Sequence, residues 1–115
     1  MQTNIYGKRS EIIATDYLKK KGYKILETNY KNHVGEIDII AKDKDYIVFV
    51  EVKARMSQAF GHPFEAIDEI KQQKIHAVAS IYLVKHKKYG TKCRFDAISI
   101  LGLENPEITH VLDAF

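Results

Sequence analysis

The run YIVFVEVK, residues 46–53, constrains the fold more than any other stretch of the chain. Side chains alternate across a strand, so Ile47, Phe49, Glu51 and Lys53 share one face while Tyr46, Val48, Val50 and Val52 share the other. Both faces begin apolar. A strand of that kind is buried between layers, which makes it central in its sheet and covered by helices on each side. Glu51 and Lys53 then stand at the end of a core strand, where charge is costly unless it is matched.

The preceding segment, Val34–Ala41, reads as a second strand, with Glu36, Asp38 and Ile40 on one face and Ile37, Ile39 and Ala41 on the other. Asp43-Lys44-Asp45 forms the polar turn between the two strands. Counted from Lys44, Asp38 lies six residues before the turn centre and Glu51 seven after it, so the carboxylates are near neighbours across the hairpin.

Around this hairpin the pattern predicts a helix from about Lys8 to Lys21 carrying Ile12, Ile13, Ala14, Tyr17 and Leu18 at helical spacing, ended by lysines and Gly22. Residues 23–31 read as a first strand and Asn32-His33 as the turn after it. A long helical pattern runs from Pro63 to about Lys87, with Ile67, Ile70, Lys74, Ala77, Val78 and Ile81 as its buried stripe. Lys92–Leu101 and Glu107–Leu112 read as two further strands. The order αβββαββ, with a helical crossover returning the chain parallel to the third strand, predicts an α/β sandwich with a mixed sheet. With 115 residues, 45% of them hydrophobic, and no repeat or linker, residues 1–115 are expected to form a single domain.

Composition narrows the function classes. The one cysteine, Cys93, cannot form an internal disulfide, and the first 25 residues are charged where a secretory signal would be apolar, so a cytoplasmic setting is expected. No stretch approaches the roughly 20 apolar residues needed to span a bilayer. A net charge of +3 permits a polyanionic partner without requiring one. The five histidines lack metal-binding spacing, and the chain has neither a glycine-rich phosphate loop nor a nucleophile elbow. Zinc chemistry, ATP hydrolysis and acyl transfer are thereby disfavoured.

Two acids and a lysine at one strand end suit a divalent cation. Magnesium is usually held by one or two protein carboxylates and keeps several waters, leaving room for a phosphate oxygen. Asp38 and Glu51 supply the pair, while Lys53, about 6.6 Å farther along the face of Glu51, is placed to orient or deprotonate an attacking water. The reaction class is phosphodiester hydrolysis. Read structurally, the same residues make a cross-strand Asp38–Lys53 ion pair.

The order Gly35-Glu36-Ile37-Asp38, a short hairpin, then Val48-Phe49-Val50-Glu51-Val52-Lys53 resembles the bacterial YraN-like family. The resemblance extends to Gly7 and Glu11, Gly22-Tyr23, Lys71-Gln72, Arg94-Phe95-Asp96 and Asp113-Ala114-Phe115, essentially the whole chain. That family belongs to the restriction-endonuclease-like superfamily with a PD-(D/E)xK site and is similar to Holliday junction resolvases. The resemblance implies a three-layer sandwich whose central mixed β-sheet is flanked by helices. It also implies Asp38, Glu51 and Glu11 as ligands of Mg2+ or Mn2+, and Lys53 as the catalytic lysine. Ile37 stands where the superfamily motif has proline.

Glu11 shares the side of its helix with Ala14 and Leu18, an odd place for a carboxylate, although its position near the helix start also suits the helix dipole. Lys71 and Gln72, flanking the apolar stripe of the second long helix, together with Lys74 and Arg55, are the candidate DNA contacts. The expected activity is a magnesium-dependent endodeoxyribonuclease acting on branched or duplex DNA. Symmetric cutting of two strands, as in the resolvases, implies a homodimer. A non-catalytic nucleic-acid-binding module with a vestigial acidic site is the alternative, and a protein-interaction domain a third.

Overall fold

The computed structural model describes residues 2–56, 67–88, 90–102 and 104–115, with side chains from Gly7 onward. The elements are α1 (Gln2–Lys20), β1 (Lys24–Lys31), β2 (Glu36–Asp43), β3 (Tyr46–Arg55), α2 (Glu69–Lys85), β4 (Lys92–Leu101) and β5 (Glu107–Val111). The strands form one sheet in the order β1-β2-β3-β4-β5. β3 is central, as its two apolar faces require. It pairs antiparallel with β2 and parallel with β4, so the sheet is mixed. Among the described residues, no helix is long and apolar enough to cross a membrane.

The alternation along β3 separates two cores. Val48 and Val50 pack with Ile39, Ala41, Ile98 and Ile100 beneath Ala14 and Leu18 of α1. Ile47 and Phe49 pack on the other face with Ile37 and Ile40 beneath Ile75, Val78, Ala79 and Tyr82 of α2. One helix therefore covers each face. Leu18 is fully buried, and its truncation to alanine is of the class that costs about 2–5 kcal/mol.

Local chemistry sets the joints. Gly22 takes φ +94°, and the bonds Gly22 N–H to Lys19 C=O (2.9 Å) and Tyr23 N–H to Leu18 C=O (3.0 Å) close the end of α1 and direct the chain into β1. Before β2, the Asn32 side chain accepts from Val34 N–H at 3.0 Å, while its amide approaches the Val78 carbonyl at 3.4 Å. Gly35 passes so close to α2 that a Cβ there would meet Val78 Cγ2 at 3.4 Å. The strand carrying Asp38 is thereby registered against α2 before the acid is reached.

Three expectations are corrected. α1 begins at Gln2, well before Lys8, because a helix docked through its later turns extends upstream at little further cost; Ile12 is exposed. α2 begins at Glu69, with Asp68 capping Lys71 N–H at 2.8 Å, while Pro63, expected in its first turn, lies outside the described residues. Its buried stripe is Ile75, Val78, Ala79 and Tyr82; of the stripe expected, only Val78 is fully buried, and Ile70 is 71% exposed. The helix carries apolar residues around much of its circumference, so spacing alone did not select the face.

Candidate active site

The β2–β3 register pairs Ile39 with Val50 and Ile40 with Phe49, and the same count sets Asp38 opposite Glu51. The backbone pairing stops there. Instead, Val52 N–H donates to Asp38 Oδ2 at 2.8 Å, so the acid side chain takes the place of a ladder acceptor where the strands part. The alternation of β2 also slips at this point, since Ile37 packs in the α2 core and Ile39 in the α1 core. Asp38 is therefore turned into the opening between two strands, half-buried and beside Glu51.

Glu51 continues the Ile47–Phe49 face towards α2 and is only 4% exposed. Its Oε2 receives the ammonium of Lys71, from α2, at 2.5 Å, and that of Lys53 lies 3.9 Å from the same oxygen. Asp38, by contrast, lines a cavity of about 390 Å³ with Gly7, Lys8, Ser10 and Glu11 of α1, Asn29 of β1 and Val52. The acid pair thus joins the α2 side of the sheet to a concavity under α1.

The electrostatics follow from this crowding. Burial, and then the charge and hydrogen-bonding contact of Glu51, push the Asp38 carboxyl from its ordinary value near 3.8 up to about 8, against the opposing effect of Val52 N–H and Lys71. Burial and the neighbouring Lys71 ammonium lower the Lys53 pKa. Burial would also lower that of Lys71, but its contact with Glu51 outweighs this and raises it. The two desolvated carboxylates stand side by side, Glu51 matched by Lys71 and Lys53 and Asp38 resisting ionisation beside it. That donor chemistry fits a hard divalent cation that retains waters.

Glu11 faces the same cavity as Asp38, but its Oε2 accepts from the Asn29 amide at 2.6 Å. Among the described residues, no group of three or more Asp, Glu, His or Cys side chains is gathered closely enough to hold an ion, so the expected three-ligand set of Asp38, Glu51 and Glu11 is not assembled here. The expected DNA contacts diverge. Lys71 is on Glu51, and Lys74 is exposed. Gln72 donates to the Ile67 carbonyl at 3.2 Å and lines a separate cavity of about 200 Å³ with Ala97, Val111 and Phe115. Arg55 folds onto the Ala54 carbonyl at 2.9 Å.

Asn29 was missed from sequence. It adopts φ +51° within β1, a conformation asparagine tolerates better than most residues, and an asparagine in an otherwise strand-like run was the available signal. Also missed was a second buried ionic cluster on the α1 side of the sheet. There Arg94 donates to Asp96 through Nε at 2.8 Å and Nη2 at 3.0 Å, to the Tyr23 hydroxyl at 2.7 Å and to Asp43 at 3.2 Å. His110 Nε2 and Asp113 N–H complete the shell of Asp96 at 2.8 and 3.0 Å.

A mixed α/β sheet with one helix on each face, and a carboxylate pair with two lysines where its central hairpin opens, defines the molecular class. The model of the Uncharacterised protein family UPF0102 matches residues 10–100, and the chain belongs to that family. It is 48% identical over 109 residues to a UPF0102 protein of Clostridioides difficile, covering 95% of each chain. It is 49% identical over 115 residues to one of Caldanaerobacter subterraneus subsp. tengcongensis, covering 95% of this chain and 93% of the relative. A UPF0102 protein of Persephonella marina is 46% identical over 111 residues, covering 96% and 93% respectively.

Proposed function

We propose that this chain is a metal-dependent endonuclease of restriction-endonuclease-like architecture that hydrolyses DNA phosphodiester bonds, with branched DNA as its substrate class. The observation that carries the reading is the Asp38–Glu51 pair, of which Asp38 lines a cavity under α1 while Lys53 stands on the face of Glu51. Structural acids in a sheet are normally matched by fixed donors; here Asp38 resists ionisation.

Asp38 and Glu51 would hold Mg2+ or Mn2+, with Glu11 acting across the cavity. A bound ion supplies a polarised phosphoryl oxygen and a water of lowered pKa. Lys53, whose burial favours its neutral form, is suited to accept a proton from the attacking water. As an ammonium, it offsets charge growing on the phosphoryl oxygens. Lys8 lines the cavity and offers a contact for the DNA backbone.

One observation favours the non-catalytic alternative: Glu51 already has two ammonium groups as partners, as in a structural ion pair. A nuclease assay over branched, single-stranded and duplex DNA, with magnesium and with manganese, separates the two. Asp38→Ala is expected to cut at least about 100-fold more slowly with an unchanged circular dichroism spectrum. Cutting at the wild-type rate by that variant, or none by the wild type on any substrate, overturns the proposal.

A further inference from the structure

Glu51 is nearly inaccessible, yet it is approached by two lysines that differ in kind. Lys53 follows it on the same strand, its side chain 18% exposed and its ammonium 3.9 Å away. Lys71 comes from another element, its side chain 41% exposed and its ammonium in direct contact at 2.5 Å. The backbone of Lys71 is anchored in the first turn of α2, where Asp68 caps its N–H, so the side chain can swing without moving the helix. A buried carboxylate without a cation is strongly disfavoured, and Lys71, in direct contact, is the nearer of the two cations that neutralise Glu51.

We infer that Lys71 is a displaceable counter-cation of the acid pair: a divalent ion entering at Asp38 and Glu51 competes with its ammonium for Glu51, and the displaced ammonium becomes free to contact a nucleic-acid phosphate. This rests on the metal site proposed above and deepens it. The protein keeps its acids neutralised without metal and exchanges that internal cation for an external one. Lysine suits the role because its ammonium is a compact point charge on a flexible stem.

Calorimetric titration with Mn2+ alone tests the competition. Lys71→Met removes the competitor and is expected to bind Mn2+ about tenfold more tightly than the wild type. Lys85→Met, which removes an equal charge from the far end of α2, should stay within about twofold. Glu51→Gln should lose binding in either background. Equal or weaker binding by Lys71→Met overturns the inference while wild-type binding leaves the metal site standing; no binding by either protein overturns both.

The lysine ε-methylene resonances of the wild type give a reading independent of any variant during Mg2+ titration. The Lys71 signal should move with saturation, and an unmoved signal at saturation overturns the displacement. For the released ammonium, DNA affinity in chelator should be the same for wild type and Lys71→Met, whereas with Ca2+ the variant should be about fivefold weaker. A variant already weaker in chelator shows that the lysine was never sequestered and overturns this half of the inference.

Discussion

The same sheet buries two acid clusters that solve opposite problems. Around Asp96, fully buried, Arg94, His110 and the Asp113 amide supply donors to both carboxylate oxygens. Burial alone would raise the Asp96 pKa, but those hydrogen bonds outweigh it and hold the acid below the usual carboxylate range. Asp38 keeps more solvent exposure, yet burial, and then the neighbouring Glu51 carboxylate, push its carboxyl the other way, with only Val52 N–H and Lys71 opposing. Burial raises the carboxyl pKa at both sites, so burial alone does not set the direction of the shift. What differs is where the donors go: at Asp96 they converge on the acid itself, whereas the two lysines beside Asp38 stand on Glu51 and leave Asp38 with the Val52 amide.

The comparison is broken most severely by removing charge from the satisfied cluster. Asp96→Asn removes the charge opposite the buried guanidinium of Arg94 and turns one of its two acceptor oxygens into an NH2 group, and should destabilise the protein by about 3–5 kcal/mol in urea unfolding. Asp38→Asn should do the reverse. Because the native Asp38 pKa is raised to about 8, between roughly pH 4 and pH 8 the folded state holds a proton that the unfolded state has released. Metal-free stability due to this group is thus full at low pH and is lost as pH rises through that window. Asparagine carries no such dependence, so Asp38→Asn should gain about 2 kcal/mol over the wild type at pH 8.5 and little at pH 5, read from urea midpoints at both values.

The smallest effect sharpens the contrast at the cavity. Asn29→Gly keeps access to the left-handed backbone while deleting the amide that holds Glu11, so stability should change by less than about 1 kcal/mol. Metal-dependent cutting should fall more than that stability change explains. Asn29→Ala should be the less stable of the two by about 1 kcal/mol, since a Cβ is strained at φ +51°. Thermal melts together with cleavage rates check both variants.

Much of this was legible in the chain. The two apolar faces of residues 46–50 required a covered central strand, and β3 is central with Ile47 through Val50 buried. The turn at Lys44 set the hairpin register, and the register brought Asp38 and Glu51 together. Those conclusions were available because alternation and tight turns are properties of a few adjacent residues, and periodicity records them directly.

What lay beyond the sequence depended on elements far apart along the chain. Lys71 read as a DNA contact, and only the rotation of α2 against the sheet brings its ammonium to Glu51. Glu11 and Asn29 meet across 18 positions because a helix crosses β1, and Arg94, Asp96 and His110 converge because β4 and β5 pair. Local pattern settled which residues are strand and which face is apolar. Partnership among charges was decided by the tertiary structure, because Coulomb and hydrogen-bond energies depend on distances of a few ångström that no spacing in the chain specifies.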